Sequence, residues 1–231
     1  MRILALETSA KSVSCALTQD GGVLASAYQC TGLTHSRTLM PMVEDLLKNA
    51  ELTLRDIDRI AIAAGPGSFT GLRIGIAAVK GLAWAADKPC CAVSTLYAMA
   101  QNVRHMDGPI IGAMDARRNQ IYNALFEAKD GVLTRLCPDR AIGLDELCGE
   151  LKSNSRRAVV LGDGGKLCFD YLTSHGIDCT LAPAQLLYQN AVGVALAAEE
   201  REAVTAQELL PVYLRPAQAE RLRNARENMQ T

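Results

Sequence analysis

The chain lacks an excess of either charge. Its 24 Lys and Arg face 25 Asp and Glu, a net charge of −1 at pH 7, so no global basic field exists to hold nucleic acid through its phosphates alone. It also lacks a membrane-spanning run: the longest apolar stretch, Ile74 to Ala86, is broken by Lys80 and is shorter than the ~20 residues a spanning helix needs. The N-terminus carries no apolar h-region, since only Ile3, Leu4, Ala5 and Leu6 separate Arg2 from Glu7, so no signal peptide is expected. None of the eight cysteines forms a C-x-x-C pair, which removes the main support for zinc or thioredoxin-type readings. Most lie in apolar stretches and read as small reduced core residues, pointing to a cytoplasmic protein. No histidine has the partners that a helical metal site requires.

What is there is a duplication. Ile3-Leu-Ala-Leu-Glu7, a second strand from Ser12 to Thr18 and a turn into Gly22-Val-Leu24 find their echo in Ile111-Gly-Ala-Met-Asp115, Asn119 to Glu127 and Gly131-Val-Leu133. The two acids are 108 residues apart and the Gly-Val-Leu triplets 109. Asp20-Gly21 and Asp130-Gly131 are hairpin signals. Each meander is followed by helix, strand, glycine turn and helix. In the first half these are Ser36 to Ala50, Arg59 to Ala64, Gly65-Pro-Gly-Ser-Phe-Thr-Gly71 and a long apolar helix to Ala86; a strand at Pro89 to Val93 and a helix from Thr95 complete it. In the second half they are Leu144 to Lys152, Ala158 to Leu161, Gly162-Asp-Gly-Gly165 and Lys166 to His175; a helix from Asn190 to Glu200 is expected to complete that half. This predicts an α/β duplicated fold of the actin-like, Hsp70-like (ASKHA) type, two subdomains each with a mixed sheet flanked by helices. The expected division is 1–105, 106–217 and a basic tail over 218–231, with the second subdomain the smaller.

In that superfold a carboxylate follows the first strand of each half and nucleotide lies between the halves. Here the turns after Glu7 and Asp115 contain no glycine, although backbone N–H groups around phosphates are usually supplied by glycine turns. The acids are either local hydrogen-bonding residues or remnants of the site. The glycine block Gly65 to Gly71 is neither a Walker A loop nor G-x-S-x-G; it either turns the chain sharply into a helix or holds a small anion at that helix's N-terminus. On the second of each pair of readings, Glu7, Thr8, Ser9, Gly65, Gly67, Ser68 and Asp115 are the candidate residues of a vestigial nucleotide cleft. The helix that follows is apolar on nearly every side and carries Gly75 and Gly81, each costing about 1 kcal/mol relative to Ala, so another backbone is expected close by. Its uncovered side faces either this chain or a partner. With the helix before it, it nominates Met40, Val43, Leu47, Leu72, Gly75, Ile76 and Val79 as a partner surface, with Gly75 expected to serve association rather than folding.

Ala5-Leu-Glu-Thr-Ser9, His35-Ser36, Gly65-Pro-Gly-Ser-Phe-Thr-Gly-Leu-Arg-Ile-Gly75, Val93-Ser-Thr-Leu96, Met114-Asp-Ala-Arg117 and Pro211-Val-Tyr-Leu-Arg215 together resemble the bacterial TsaB (YeaZ) family. The resemblance implies a non-catalytic paralogue of TsaD, the transferase that places threonylcarbamoyl on the adenosine beside the anticodon of tRNA. It implies pairing with TsaD through the two helices, a TsaE-type ATPase in the same complex, a homodimer when alone, contact with tRNA only through the complex, and no cofactor or metal. At the positions of TsaD's metal-binding histidines the chain has Thr95 and Met99, neither of which replaces imidazole. Such chains are also labelled glycoprotease or peptidase M22, yet the sequence supplies no nucleophile or metal set for that chemistry. The alternative is an ATP-dependent kinase or transferase of the same superfold.

Overall fold

The structure, a computed structural model, describes residues 1–117, 119–152 and 156–215. The basic tail expected over 218–231 lies outside the described residues. The first half runs β1 (Arg2–Glu7), β2 (Val13–Gln19), β3 (Gly22–Gln29), α1 (His35–Asn49), β4 (Arg59–Gly65), α2 (Phe69–Ala86), β5 (Cys90–Ser94) and α3 (Thr95–Gln101). The second runs β6 (Gly108–Asp115), β7 (Gln120–Lys129), β8 (Val132–Arg135), β9 (Arg140–Gly143), α4 (Leu144–Leu151), β10 (Ala158–Leu161), α5 (Gly165–Ser174), β11 (Cys179–Leu181) and α6 (Ala191–Glu199).

The strands form two sheets with one plan. The first has the order β3-β2-β1-β4-β5 and the second β8-β7-β6-β10-β11. β1 lies antiparallel to β2 and parallel to β4, as β6 lies antiparallel to β7 and parallel to β10. Both hairpin turns use a left-handed pair, Asp20 and Gly21 at φ 49° and 77°, Asp130 and Gly131 at φ 52° and 75°; positive φ at both central residues matches the right-handed twist of the flanking strands. The expected actin-like duplication is thus present. β9 is an addition without a counterpart. It pairs with the first four residues of the long β7 while β8 pairs with the last four. With it the second sheet has six strands against five among the described residues, so the second sheet is not the smaller one.

Alternation along β1 builds two cores. Leu4 and Leu6 pack with Leu39, Val43 and Leu46 of α1 and Ile76 and Val79 of α2. Ile3 and Ala5 point the other way, onto Val194, Ala195 and Ala198 of α6. Here the sequence expectation is corrected: α6 follows the second sheet in the chain but covers the first. α3 does the converse. Its Leu96, Met99, Ala100 and Val103 beyond it pack with Ile110, Met114 and Phe126 of the second sheet. α4 and α5 close the outer face of that sheet through Leu147, Leu151, Cys168 and Leu172. α3 and α6 pack on each other between the sheets. The order of layers is α1/α2, first sheet, α3/α6, second sheet, α4/α5. No helix among the described residues is long and apolar enough to cross a membrane.

Candidate functional site: the cleft between the halves

The ends of β1 and β4 and the start of α2 meet the β6–β7 and β10–α5 turns around a cavity of about 540 Å³. Ser9, Lys11, Ser68, Asp115, Arg117 and Asp163 are among its lining residues, so it carries both signs of charge.

Glu7 ends β1 and is fully buried. One carboxylate oxygen accepts a hydrogen bond from the Ser9 amide, while Oε2 has no partner. Burial, helped by the charge of Asp163, pushes the Glu7 carboxyl up to about 7 against the opposing hydrogen bond from the Ser9 amide. Asp163 is held by Gln189, whose Nε2 donates to Oδ1 at 2.8 Å. Burial again raises its pKa, and Asp115 adds to that. Asp115 is exposed and accepts from the Arg117 amide at 2.7 Å. The two carboxylates that the duplication pairs are thus placed differently, one sealed under the cleft and one at its mouth.

The glycine block lies against the turn after β1. The Ser68 amide donates to the Ser9 carbonyl at 2.6 Å and Thr8 Oγ1 donates to the Gly71 carbonyl at 2.8 Å. A Cβ at Gly67 would stand 2.5 Å from the Ser9 carbonyl oxygen, and one at Gly71 2.1 Å from that of Thr8. These glycines therefore admit the chain's own turn. The start of α2 is capped internally, its Ser68 Oγ accepting from the Gly71 amide. Gly65, at φ 137°, admits a different segment: a Cβ there would lie 2.1 Å from the Val212 carbonyl oxygen.

The nominated partner surface is largely interior. Val43, Leu47, Leu72, Ile76 and Val79 are buried within the chain. Gly75 answers the demand for a close neighbour inside the chain, since a Cβ there would meet Thr8 Oγ1 at 2.3 Å and the Ile62 side chain at 2.9 Å. The expectation that Gly75 faces a partner is corrected on that ground. Met40 remains 40% exposed. The outward stripe of α2 is Arg73, Ala77, Gly81, Trp84 and Ala85, with Trp84 68% exposed and open space beside Gly81. Sequence reasoning missed Trp84, although its spacing of three and seven residues from Gly81 and Ala77 was legible. It also missed Asp163 as a cleft residue, whose signal was its place in the second glycine turn. Thr95 and Met99 are buried, Met99 against the second sheet. Among the described residues no group of three or more His, Cys, Asp or Glu is placed to hold a metal ion.

Comparison with known proteins decides the family. The family model for TsaD, tRNA N6-adenosine threonylcarbamoyltransferase, matches residues 6–220. The chain is 37% identical to the tRNA threonylcarbamoyladenosine biosynthesis protein TsaB of Bacillus subtilis, over 95% of this chain and 96% of that one. This chain belongs to the TsaB family. TsaB of Escherichia coli is 33% identical over 93% of this chain and 95% of its own. The crystal structure of a Pseudomonas aeruginosa protein described as similar to peptidase YeaZ superposes with a TM-score of 0.78 at 30% identity, covering 93% of this chain and 99% of that one.

Proposed function

We propose that the chain is a non-catalytic partner and activator of a TsaD-type threonylcarbamoyltransferase, required for threonylcarbamoyladenosine modification of tRNA next to the anticodon. The observation that carries this reading is the use made of the glycine block. Gly67 and Gly71 are occupied by the carbonyls of Ser9 and Thr8, and Glu7 is sealed beneath them. A phosphate cradle requires free backbone N–H groups turned toward a ligand, and the Ser68 and Gly71 amides are already spent on Ser9 and Ser68. The names of the curated relatives, tRNA threonylcarbamoyladenosine biosynthesis proteins, support the pathway.

The partner face on this reading is the outward stripe of α2 together with the exposed Met40 of α1. Small residues there let a second backbone approach, and an exposed tryptophan supplies the kind of anchor that dominates binding energy at interfaces. The TsaD-type partner and a second copy of this chain compete for that face. A TsaE-type ATPase joins through the complex, tRNA is met only there, and the setting is the cytoplasm. Reconstitution tests the reading: leaving out this chain abolishes modification by the transferase, while Glu7→Gln, Asp115→Asn and Asp163→Asn variants still support it. Turnover of Mg-ATP by the pure chain, lost in those variants, would favour a kinase or transferase of the same superfold instead.

A further inference from the structure

The chain crosses between the two halves twice, once between α3 and β6 and once between β11 and α6. Side chains tie down the second crossing. Ser12 Oγ donates to the Gln189 carbonyl at 3.2 Å, and the Ala191 amide donates to Ser14 Oγ at 2.9 Å. After α6 the chain runs back along the first half. Val204 exchanges backbone hydrogen bonds with Cys90, both at 2.8 Å, and Leu209 is fully buried in the first core. It then returns to the cleft as Pro211 to Arg215.

This last segment is held at one end by the first half and at the other by the second. The Val212 amide donates to the Ala64 carbonyl at 2.8 Å. Tyr213 stacks on Phe69 with ring centroids 4.6 Å apart, and its hydroxyl accepts from Arg73 Nε at 3.1 Å. The Arg73 guanidinium lies over the other partner of that stack, 3.8 Å from the Phe69 centroid. Arg215 then reaches over the cleft and donates from Nη1 to the carbonyl of Ala116, in the β6–β7 turn, at 2.9 Å. Tyr213, Leu214 and Arg215 line the cleft together with Asp115 and Asp163. Gly65 is what lets the segment seat, for the reason given above.

We infer that residues 211–215 are a latch: anchored on the first half by Val212 and Tyr213, they clasp the second half through Arg215 and hold the cleft closed. The two ends differ in kind. The anchor combines a backbone hydrogen bond, a ring stack and a cation over a ring, whereas the clasp is one hydrogen bond from a flexible side chain to a carbonyl. Opening therefore begins at Arg215 and leaves the anchor in place. An open latch would give solvent a path toward the buried polar atoms beneath the cleft that lack partners, Glu7 Oε2, Ser9 Oγ and Gln189 Oε1.

Hydrogen–deuterium exchange on the full chain tests this. In Arg215→Ala the amides of Ala116, Arg117 and Gln120, which are bonded within the β6–β7 turn, should exchange on the order of three- to tenfold faster, the change expected from losing one hydrogen bond. Amides within β1 and β6 should keep their rates. Arg215→Lys, which retains a donor, should return the turn toward its original protection. Tyr213→Ala should speed the same turn and also the Val212 amide, because it frees the anchor. Unchanged exchange at the turn in both alanine variants overturns the latch. So does a uniform rise over both sheets with a lower melting temperature, which would make the segment a general part of the fold.

Discussion

Glu7 shows how one buried carboxylate sets a pH dependence. Its folded pKa of about 7 lies above the ordinary 4.5, so the folded state holds the proton more tightly than the unfolded chain does. Stability is then full below about pH 4.5, falls as pH rises through the folded value and is flat above it. The difference corresponds to about 3 kcal/mol. Glu7→Gln keeps an acceptor for Ser9 and removes the titration. Denaturant melts should show the variant more stable than the parent above pH 7 and without the slope between pH 5 and 7; parallel curves for the two proteins would place the cause elsewhere. Gly75 makes a second test. A leucine there must displace Thr8 and Ile62, and overpacking of a filled core costs about 1–3 kcal/mol, so thermal melts of Gly75→Leu should fall by several degrees. The cysteines divide in the same way. Burial pushes the thiol of Cys15 up to about 11 and that of Cys168 up to about 12, while Cys30 is exposed. A thiol reagent should label Cys30 first in the folded protein.

Helix α2 has two apolar sides with different uses. Its inner side buries Leu72, Ile76 and Val79, each contributing about 1.5–3 kcal/mol relative to exposure. Its outer side leaves Ala77, Gly81, Trp84 and Ala85 uncovered. Trp84→Asp should therefore leave the melting temperature within about 1–2 °C of the parent, as surface substitutions usually do. On the proposed reading, the same change should abolish association with a TsaD-type partner and between copies, read by sedimentation and pull-down with purified transferase. Leu47→Asp should behave in the opposite manner. Its site is buried, an unpaired charge there is costly, and the variant should lose its fold before it loses a partner.

The crossed placement of α3 and α6 makes the two halves depend on each other. Without α6, one face of the first sheet, with Ile3, Ala5, Ala16, Ala61, Ala63 and Val93, would lie bare. A fragment ending near residue 105 should consequently be insoluble or molten when expressed alone. Co-expression with the remainder of the chain should restore a cooperative melt. A cooperatively folded first fragment would show that α6 contributes little to that face.

Strand alternation, the Asp-Gly turns and the paired acids were enough to read the duplicated plan, because each depends on neighbours a few residues away. β9 escaped notice because Arg140-Ala-Ile-Gly143 is not a continuous apolar run like the equally short β10, and β11 because its three residues are too few to display a period. The glycine block was legible as a place of close approach, but not its occupant. Thr8 and Ser9 precede it by some sixty residues, and only the sheet register brings that turn onto the block. The same reason governs α2: its apolar periphery is written in the chain, yet which side meets α1 and β1 and which meets solvent depends on how the helix is rolled against the sheet. α6 is the clearest case. Its residues demand burial on nearly every side, and nothing local distinguishes the sheet just before it in the chain from the sheet that it covers.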